Sequence, residues 1–178
     1  MSQQTFSLQP FPSAEVPPVQ ITGNISRDDN QLIINYQLIG NLQEIVIAKP
    51  SDTPTRQHEL WQDTCFEFFL GIKNSQRYWE FNLSPAGHWN IYRFDSYRQG
   101  MQEETAFSVL PFRVENKSDS LVLALNLDLD KIISSAQLVD VAITTVIKQE
   151  SGDINYLALV HKGKEADFHI RDSFIVEL

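Results

Sequence analysis

Two glutamates near the middle of the chain could bring carboxyl groups together on one side of a sheet. Glu67 and Glu80 lie in Cys65–Ile72 and Tyr78–Leu83, whose apolar side chains recur at every second position. This alternation predicts two neighbouring strands joined by a polar turn. Phenylalanine and tryptophan side chains occupy the other face of both strands. We therefore expect the glutamates to point outward or into a cleft.

The register of these two strands decides how close the carboxyl groups come. If the turn is centred between Lys73 and Asn74, Glu67 lies directly opposite Glu80. Like charges in that position destabilise a sheet, so a compensating partner is expected. Three explanations stay open: an ion pair with Arg93 on the next strand, a bound ligand or cation, or neither, because the register is different or the pair is simply solvated.

The next predicted strand places aromatic and polar side chains beside the glutamates. Trp89 and Tyr92 lie on opposite faces of that strand, so one of them is expected in the core. An exposed ring can stack on the C–H face of a sugar, while neighbouring carboxylates, amides and Arg93 bond its hydroxyl groups. Trp89, Arg93 and Asn82 are therefore candidate ligand-binding residues.

Histidine and methionine residues give a weaker indication of a metal or haem site. Asp167 and His169 share a face if their segment is extended, and His161 lies upstream. Their spacing is not diagnostic of a metal site. Haem ligation by His and Met would have to use Met101, because the only other methionine is the first residue. We expect no cofactor and a colourless protein.

The elements that position these residues are predicted to be short strands separated by turns. One helix of about two turns is predicted at residues 128–136, capped by Asp128 or Asp130. Residues 1–18 contain four prolines and are expected to form an extended lead-in. Many short strands with turns between them are typical of a β-sandwich or barrel. The predicted strands are residues 20–26, 31–39, 41–48, 65–72, 78–83, 88–95, 107–114, 121–127, 139–148, 154–160 and 174–178.

Composition and charge exclude several classes of function. The net charge of −9 argues against nucleic-acid and anionic-membrane partners, which select clustered basic residues. Cys65 is the only cysteine, so no intramolecular disulfide forms, and its place within a strand predicts an inert thiol. Standard catalytic motifs are absent. Without a signal-peptide pattern or an apolar run of about 20 residues, a cytoplasmic protein is expected.

Four stretches of the sequence resemble a known family. Their order and the total length of the chain fit one domain spanning residues 1–178. Together they resemble the bacterial DOMON-like proteins related to family 9 carbohydrate-binding modules. The stretches are LWQDTCFEFFL (residues 60–70), YWEFNLSPAGHW (residues 78–89), YRFDSYRQGM (residues 92–101), and His161 with DFH (residues 167–169).

The resemblance implies a two-sheet antiparallel β-sandwich, with one or two short helices, that binds sugars or, in other DOMON branches, haem. We expect a non-catalytic module that binds a small carbohydrate or related polyol. Alternatives are a haem- or metal-binding domain and an enzyme that acts on glycosides. The enzyme would use Glu67 and Glu80, because directly opposed strand residues have Cβ atoms about 5 Å apart, near the separation of retaining enzymes. The candidate binding residues are Glu67, Glu80, Asn82, Trp89, Arg93, His161, Asp167 and His169.

Overall fold

The computed structural model describes residues 3–12 and 16–178, which form two antiparallel sheets. The smaller sheet has the strand order β1-β3-β4-β10-β9, and the larger has the order β2-β12-β11-β5-β6-β7-β8, with β13 beside β11. The strands of this described part are β1 (Gln4–Ser7), β2 (Gln9–Pro10), β3 (Val19–Asp28), β4 (Gln31–Gly40), β5 (Cys65–Ile72), β6 (Tyr78–Leu83), β7 (Trp89–Phe94), β8 (Gln102–Glu103), β9 (Phe112–Asn116), β10 (Ser120–Asp128), β11 (Val139–Lys148), β12 (Ile154–Ala158) and β13 (Val176–Glu177).

The main core lies between the two sheets. Strand β4 shows how the sequence forms it, because its inward apolar side chains are fully buried and its outward ones are mostly polar. In the larger sheet, Phe68 and Phe81 stack with ring centroids 4.3 Å apart. Tyr36 reaches across from β4, and its hydroxyl donates to the Glu67 carbonyl oxygen at 2.7 Å. The sheets are thus held together by apolar packing and a buried hydrogen bond.

The other face of the larger sheet, called here the distal face, is also buried. Residues 159–175, the roof segment, lie over it and bring Phe168 and Phe174 against Phe69. Arg171 anchors this segment by donating to the Ile72 carbonyl and the Asp140 carboxylate, each at 3.1 Å. Its guanidinium fills the space above Gly71, where a Cβ would lie 2.4 Å from the guanidinium carbon. A second apolar cluster therefore lies beneath the roof segment.

The lead-in is part of both sheets rather than a separate extension. Strand β1 pairs with β3 in the smaller sheet, and β2 pairs with β12 in the larger one. Extended backbone was expected for residues 1–18, and these strands account for two stretches of it. Residues 1–2 and 13–15 of the lead-in lie outside the described residues.

Three predicted elements differ from the structure. Residues 41–48 form a 3-10 turn, Leu42–Glu44, and a single bridge between Ile45 and Gln149 instead of a strand. The helix predicted at residues 128–136 is only the 3-10 turn Leu129–Lys131, capped by the Asp128 carboxylate. The strand predicted at residues 107–114 begins at 112, because the preceding residues form a loop. Two further 3-10 turns occur in the described residues, Leu60–Gln62 and Arg171–Ser173.

The predicted register of β5 and β6 is wrong by two residues. Glu67 pairs with Asn82, and Glu80 pairs with Phe69. The tight turn is where it was expected, since the Ser75 amide donates to the Ile72 carbonyl at 3.0 Å. Gln76 and Arg77 lie between this turn and the start of strand β6. These two additional residues shift the pairing of β5 and β6 by two positions. Because a shift of two keeps every side chain on its face, both glutamates still lie on the same side of the sheet.

Candidate functional site

A row of polar side chains crosses the distal face over four adjacent strands. Thr144, Glu67, Asn82 and Asn90 are successive cross-strand partners in β11, β5, β6 and β7. All four are at most 2% exposed. Apolar rings from the second cluster lie close to this row. A buried polar row in such surroundings needs partners, because unpaired polar groups are costly to remove from water.

Glu67 has the least compensated side chain of this row. Its Oε1 atom has no hydrogen-bond partner within the described residues, although the side chain is buried. Burial raises the pKa of Glu67 well above its usual range, and the neighbouring charge of Glu80 raises it further. Hydrogen bonds from Cys65 and Thr144 act in the opposite direction and do not outweigh these effects. Glu67 therefore holds a proton more tightly than an exposed glutamate does.

Glu80 lies diagonally across from Glu67 and is also buried. The Asn82 amide donates to Glu80 Oε1 at 3.0 Å, whereas Asn82 Oδ1 has no partner among the described residues. Burial raises the pKa of Glu80 to about 7, although the Asn82 hydrogen bond and the charge of Arg98 both lower it. The pair therefore retains a proton at neutral pH more readily than two exposed carboxylates would.

His169 lies beside Glu80 in its neutral form. The Arg98 backbone N–H donates to the Tyr78 hydroxyl at 3.1 Å, and that hydroxyl lies 2.9 Å from His169 Nδ1. If the hydroxyl donates to Nδ1, the proton of the imidazole is on Nε2, which is 3.7 Å from Glu80 Oε2. Burial and the charge of Arg98 lower the pKa of His169 to about 4. His169 therefore adds a dipole and no positive charge at neutral pH.

These groups open onto a cavity of about 400 Å³ between the distal face and the roof segment. Ligand sites commonly have volumes of roughly 300–1,000 Å³ and apolar walls with a few polar groups. Tyr156 is 40% exposed, and Trp61 is partly exposed. The cavity is lined by Trp61, Glu67, Phe69, Glu80, Phe94, Arg98, Met101, Val146, Tyr156, Ala166, Phe168 and His169.

A polar latch joins the roof segment to the loop after β7. Asp167 accepts hydrogen bonds from the Tyr97 hydroxyl at 2.5 Å and from the Arg98 guanidinium at 3.0 Å. Burial alone would raise the pKa of Asp167, but these bonds and the His169 N–H lower it. Arg98 has a φ of 53°, a conformation that non-glycine residues rarely adopt. The latch holds this residue at the edge of the cavity.

Two predicted site residues lie on the opposite face of the sheet. Trp89 is 3% exposed and belongs to the main core, with the Arg56 guanidinium 4.3 Å above its ring. Arg93 pairs with Trp79 across the strands and donates to Gln102. The predicted ion pair between Arg93 and the glutamates is therefore wrong, because alternation along β7 turns Arg93 away from them. Trp89 is likewise not available to stack on a ligand in this cavity.

All of the other predicted residues except His161 lie in or near the cavity. Glu67, Glu80 and His169 line it, and Asn82 contacts Glu80 from the same face. Asp167 forms the latch described above. His161 is directed elsewhere: its Nε2 atom donates to the Gln9 carbonyl at 2.8 Å, and its ring meets that of Phe11 edge-on.

Sequence reasoning missed Trp61, Arg98 and Tyr156 as candidate site residues. Trp61 and Arg98 lie in two of the stretches that carry the family resemblance. Their place in those stretches is the sequence signal that could have identified them as candidate site residues. Tyr156 lies in a predicted strand, where alternation places it on the face opposite Leu157, a residue of the main core. Its contribution to the cavity depends on β12 lying beside β11, a pairing that the sequence alone does not show.

The described residues contain neither a cluster of metal ligands nor a helix that could span a membrane. Among residues 3–12 and 16–178, no group of three or more His, Cys, Asp and Glu side chains has the geometry of a metal site. Met101 and His169 both line the cavity, as the haem alternative requires. None of the helical turns in the described part of the chain has the length and hydrophobicity needed to cross a bilayer.

Solved structures of similar fold include proteins linked to carbohydrate binding. A candidate carbohydrate-binding protein from Bacteroides uniformis aligns with a TM-score of 0.68 and 13% identity, covering 96% of this chain and 84% of its own. A family 9 carbohydrate-binding module from Caldicellulosiruptor kristjanssonii, in complex with cellotriose, aligns with a TM-score of 0.50 and 13% identity, covering 92% and 76%. The predicted two-sheet antiparallel β-sandwich is therefore confirmed.

Comparison at the level of sequence adds no relative. No protein-family model matches the chain, and no curated protein matches it. At 13% identity the structural likeness concerns the fold. The relationship to DOMON-like proteins stays a prediction.

Proposed function

We propose that this protein is a non-catalytic module that binds a small carbohydrate in the cavity beneath the roof segment. The observation that carries the proposal is the unpartnered, buried Oε1 atom of Glu67 at the wall of a ligand-sized cavity. A buried acceptor without a partner costs about 1–3 kcal/mol or more, and a ligand donor would recover that free energy. Sugar hydroxyl groups are donors of this kind.

The walls of the cavity support the same class of ligand. Trp61 and Tyr156 provide aromatic surface that remains partly exposed to solvent, which suits the C–H face of a sugar ring. Glu80 and His169 provide further polar contacts near Glu67. The fold shared with a family 9 carbohydrate-binding module is consistent with this proposal, as an analogy at the level of fold.

Binding without catalysis is favoured over hydrolysis of a glycoside. The enzyme alternative depended on Glu67 and Glu80 being directly opposite each other. With the observed register they are diagonal neighbours, about 7–8 Å apart at the backbone, so that argument no longer holds. Both side chains are buried, and their retained proton is explained by their surroundings alone.

Trp61→Ala is expected to weaken sugar binding about fivefold or more, since losing one stacking ring costs roughly 1 kcal/mol or more. Isothermal titration with glucose and cellotriose, followed by a glycan array, measures the effect. The matched control is Val109→Ala, which trims an exposed side chain away from this cavity. Equal affinities for wild type and Trp61→Ala would contradict a stacking role, and failure of every saccharide to bind would overturn the proposed function.

Haem binding is the second candidate, because Met101 and His169 line one cavity. We expect the purified protein to be colourless and to remain so after incubation with haemin. His169 Nδ1 is already engaged by Tyr78, and its Nε2 atom faces Glu80. Absorbance spectroscopy after gel filtration checks this expectation. A Soret band that persists in wild type and is lost in Met101→Leu would put haem binding first.

A further inference from the structure

We infer that the cavity selects an amino sugar, whose ammonium group lies between Glu67 and Glu80, over the corresponding neutral sugar. This inference rests on the proposed function and names the class of its ligand. It follows from the acceptor-rich floor of the cavity. Glu67 and Glu80 line the cavity, and Glu67 Oε1 is buried without a partner in the described part of the chain. Asn82, which lies outside the lining but on the same face, likewise has an unpartnered Oδ1 atom among the described residues.

The described residues supply no full positive charge at ion-pair distance from these carboxyl groups. Among the ion pairs of the described residues, His169 is the one basic side chain within 4 Å of Glu80, and none comes as close to Glu67. His169 is neutral at pH 7. Arg98 lowers the pKa of Glu80 from the edge of the cavity, but its guanidinium is bonded to Asp167. Within residues 3–12 and 16–178, the buried carboxyl groups therefore lack a cation of their own.

An ammonium group matches this floor better than a hydroxyl group does. It carries three donors and a positive charge, whereas a hydroxyl carries one donor and no charge. Ionised carboxylates are acceptors on both oxygens, so a ligand cation can contact Glu67 and Glu80 together. A neutral sugar leaves the two carboxylates repelling each other, and one of them must keep a proton. Binding of an ammonium removes that repulsion and allows both to ionise.

The aromatic wall adds to the preference for a cation. Phe69 and Phe94 line the cavity, and their rings contact the His169 ring in T-shaped arrangements. The faces of aromatic rings attract cations, most strongly where water is excluded. Carboxylates below and rings beside the ligand thus favour a positively charged group over a neutral one.

The test is a set of titrations at pH 6.5 with D-glucosamine, D-glucose and N-acetyl-D-glucosamine. Amines of this kind resemble α-amino groups, whose pKa lies near 8, so glucosamine is mainly charged at this pH. We expect glucosamine to bind at least tenfold more tightly than either neutral sugar. In Glu67→Gln the preference should fall to threefold or less. The control Glu115→Gln removes an exposed carboxylate of β9 and should keep the wild-type preference.

The outcomes separate the inference from the proposed function. If glucose binds as tightly as glucosamine, the inference is overturned and the proposed function stands. If no saccharide binds, both are overturned. A preference for glucosamine that persists in Glu67→Gln and in Glu80→Gln would also overturn the inference, because it would place the ammonium elsewhere. Thermal melts of all variants verify that each is folded at the temperature of titration.

Discussion

Glu67→Gln is expected to melt at a higher temperature than wild type, by an amount that grows as pH rises from 5 to 8. The substitution removes one of two buried carboxyl groups that repel each other when ionised. The new amide can also donate to Asn82 Oδ1, which lies across from it and has no partner in the described residues. Removing an unfavourable buried charge therefore stabilises the folded state.

The sign of this effect follows from the raised pKa values. The folded protein holds protons on Glu67 and Glu80 more tightly than the unfolded chain does. Stability is therefore lost as pH rises through the unfolded value near 4.5, and the loss from Glu80 is complete above about 7. Raising the pKa of Glu80 alone from 4.5 to about 7 corresponds to roughly 3 kcal/mol. For a chain of this size, 1 kcal/mol shifts the melting temperature by roughly 2–4 °C.

Melting curves of wild type and Glu67→Gln at several pH values measure the difference. His169 has a lowered pKa and makes stability rise with pH between about 4 and 6.5. Both proteins contain His169, so its contribution largely cancels in the comparison. Glu115→Gln should show no such pH-dependent gain, since its carboxyl group is exposed. A wild type that melts at or above the temperature of Glu67→Gln at pH 8 would contradict the buried repulsion.

Phe68→Ala is expected to lower the free energy of unfolding by about 3–5 kcal/mol, as large-to-small changes of buried aromatic residues do. Phe68 is fully buried, stacks on Phe81 and pairs with Ile143 on the neighbouring central strand. Its removal leaves a cavity that strands hydrogen-bonded on both sides cannot close. Denaturant unfolding gives the free energy directly.

Leu138→Ala is the matched comparison for Phe68→Ala, because Leu138 is an exposed apolar residue. Its substitution should change the free energy of unfolding by about 0.5 kcal/mol or less. A loss of less than 1 kcal/mol for Phe68→Ala would show that this part of the core repacks freely. That result would be inconsistent with the close stacking of the two rings.

The faces of the central strands could be predicted from the sequence, whereas their register could not. Alternation alone places Glu67 and Glu80 together and away from Phe68, because each side chain follows from its position in the strand. Register depends on how many residues lie between the tight turn and the first pair. Gln76 and Arg77 look like ordinary turn residues in the sequence, and their effect emerges only when Tyr78 pairs with Gly71.

The candidate site was predictable where it depends on one strand and unpredictable where it depends on distant parts of the chain. Alternation along β7 puts Arg93 on the same face as Trp89, but which side of the sheet that face occupies depends on the pairing of β7 with β6. The role of Asp167 required the roof segment to meet the loop of Arg98, a contact between residues far apart in sequence. The helix expected after Asp128 is reduced to the 3-10 turn Leu129–Lys131 for a local reason, since a helix of about two turns is too short to be stable without strong packing.

The division of the cavity between a hydrogen-bonded sheet and a separate roof segment affects how the protein can diverge. The acidic floor belongs to adjacent central strands, where an insertion would change the pairing of many residues at once. The roof segment is a connection held by Arg171 and the Asp167 latch, and connections tolerate changes of length and composition. Homologues should therefore keep the floor and vary the roof, so that new ligand shapes arise without rebuilding the carboxyl pair.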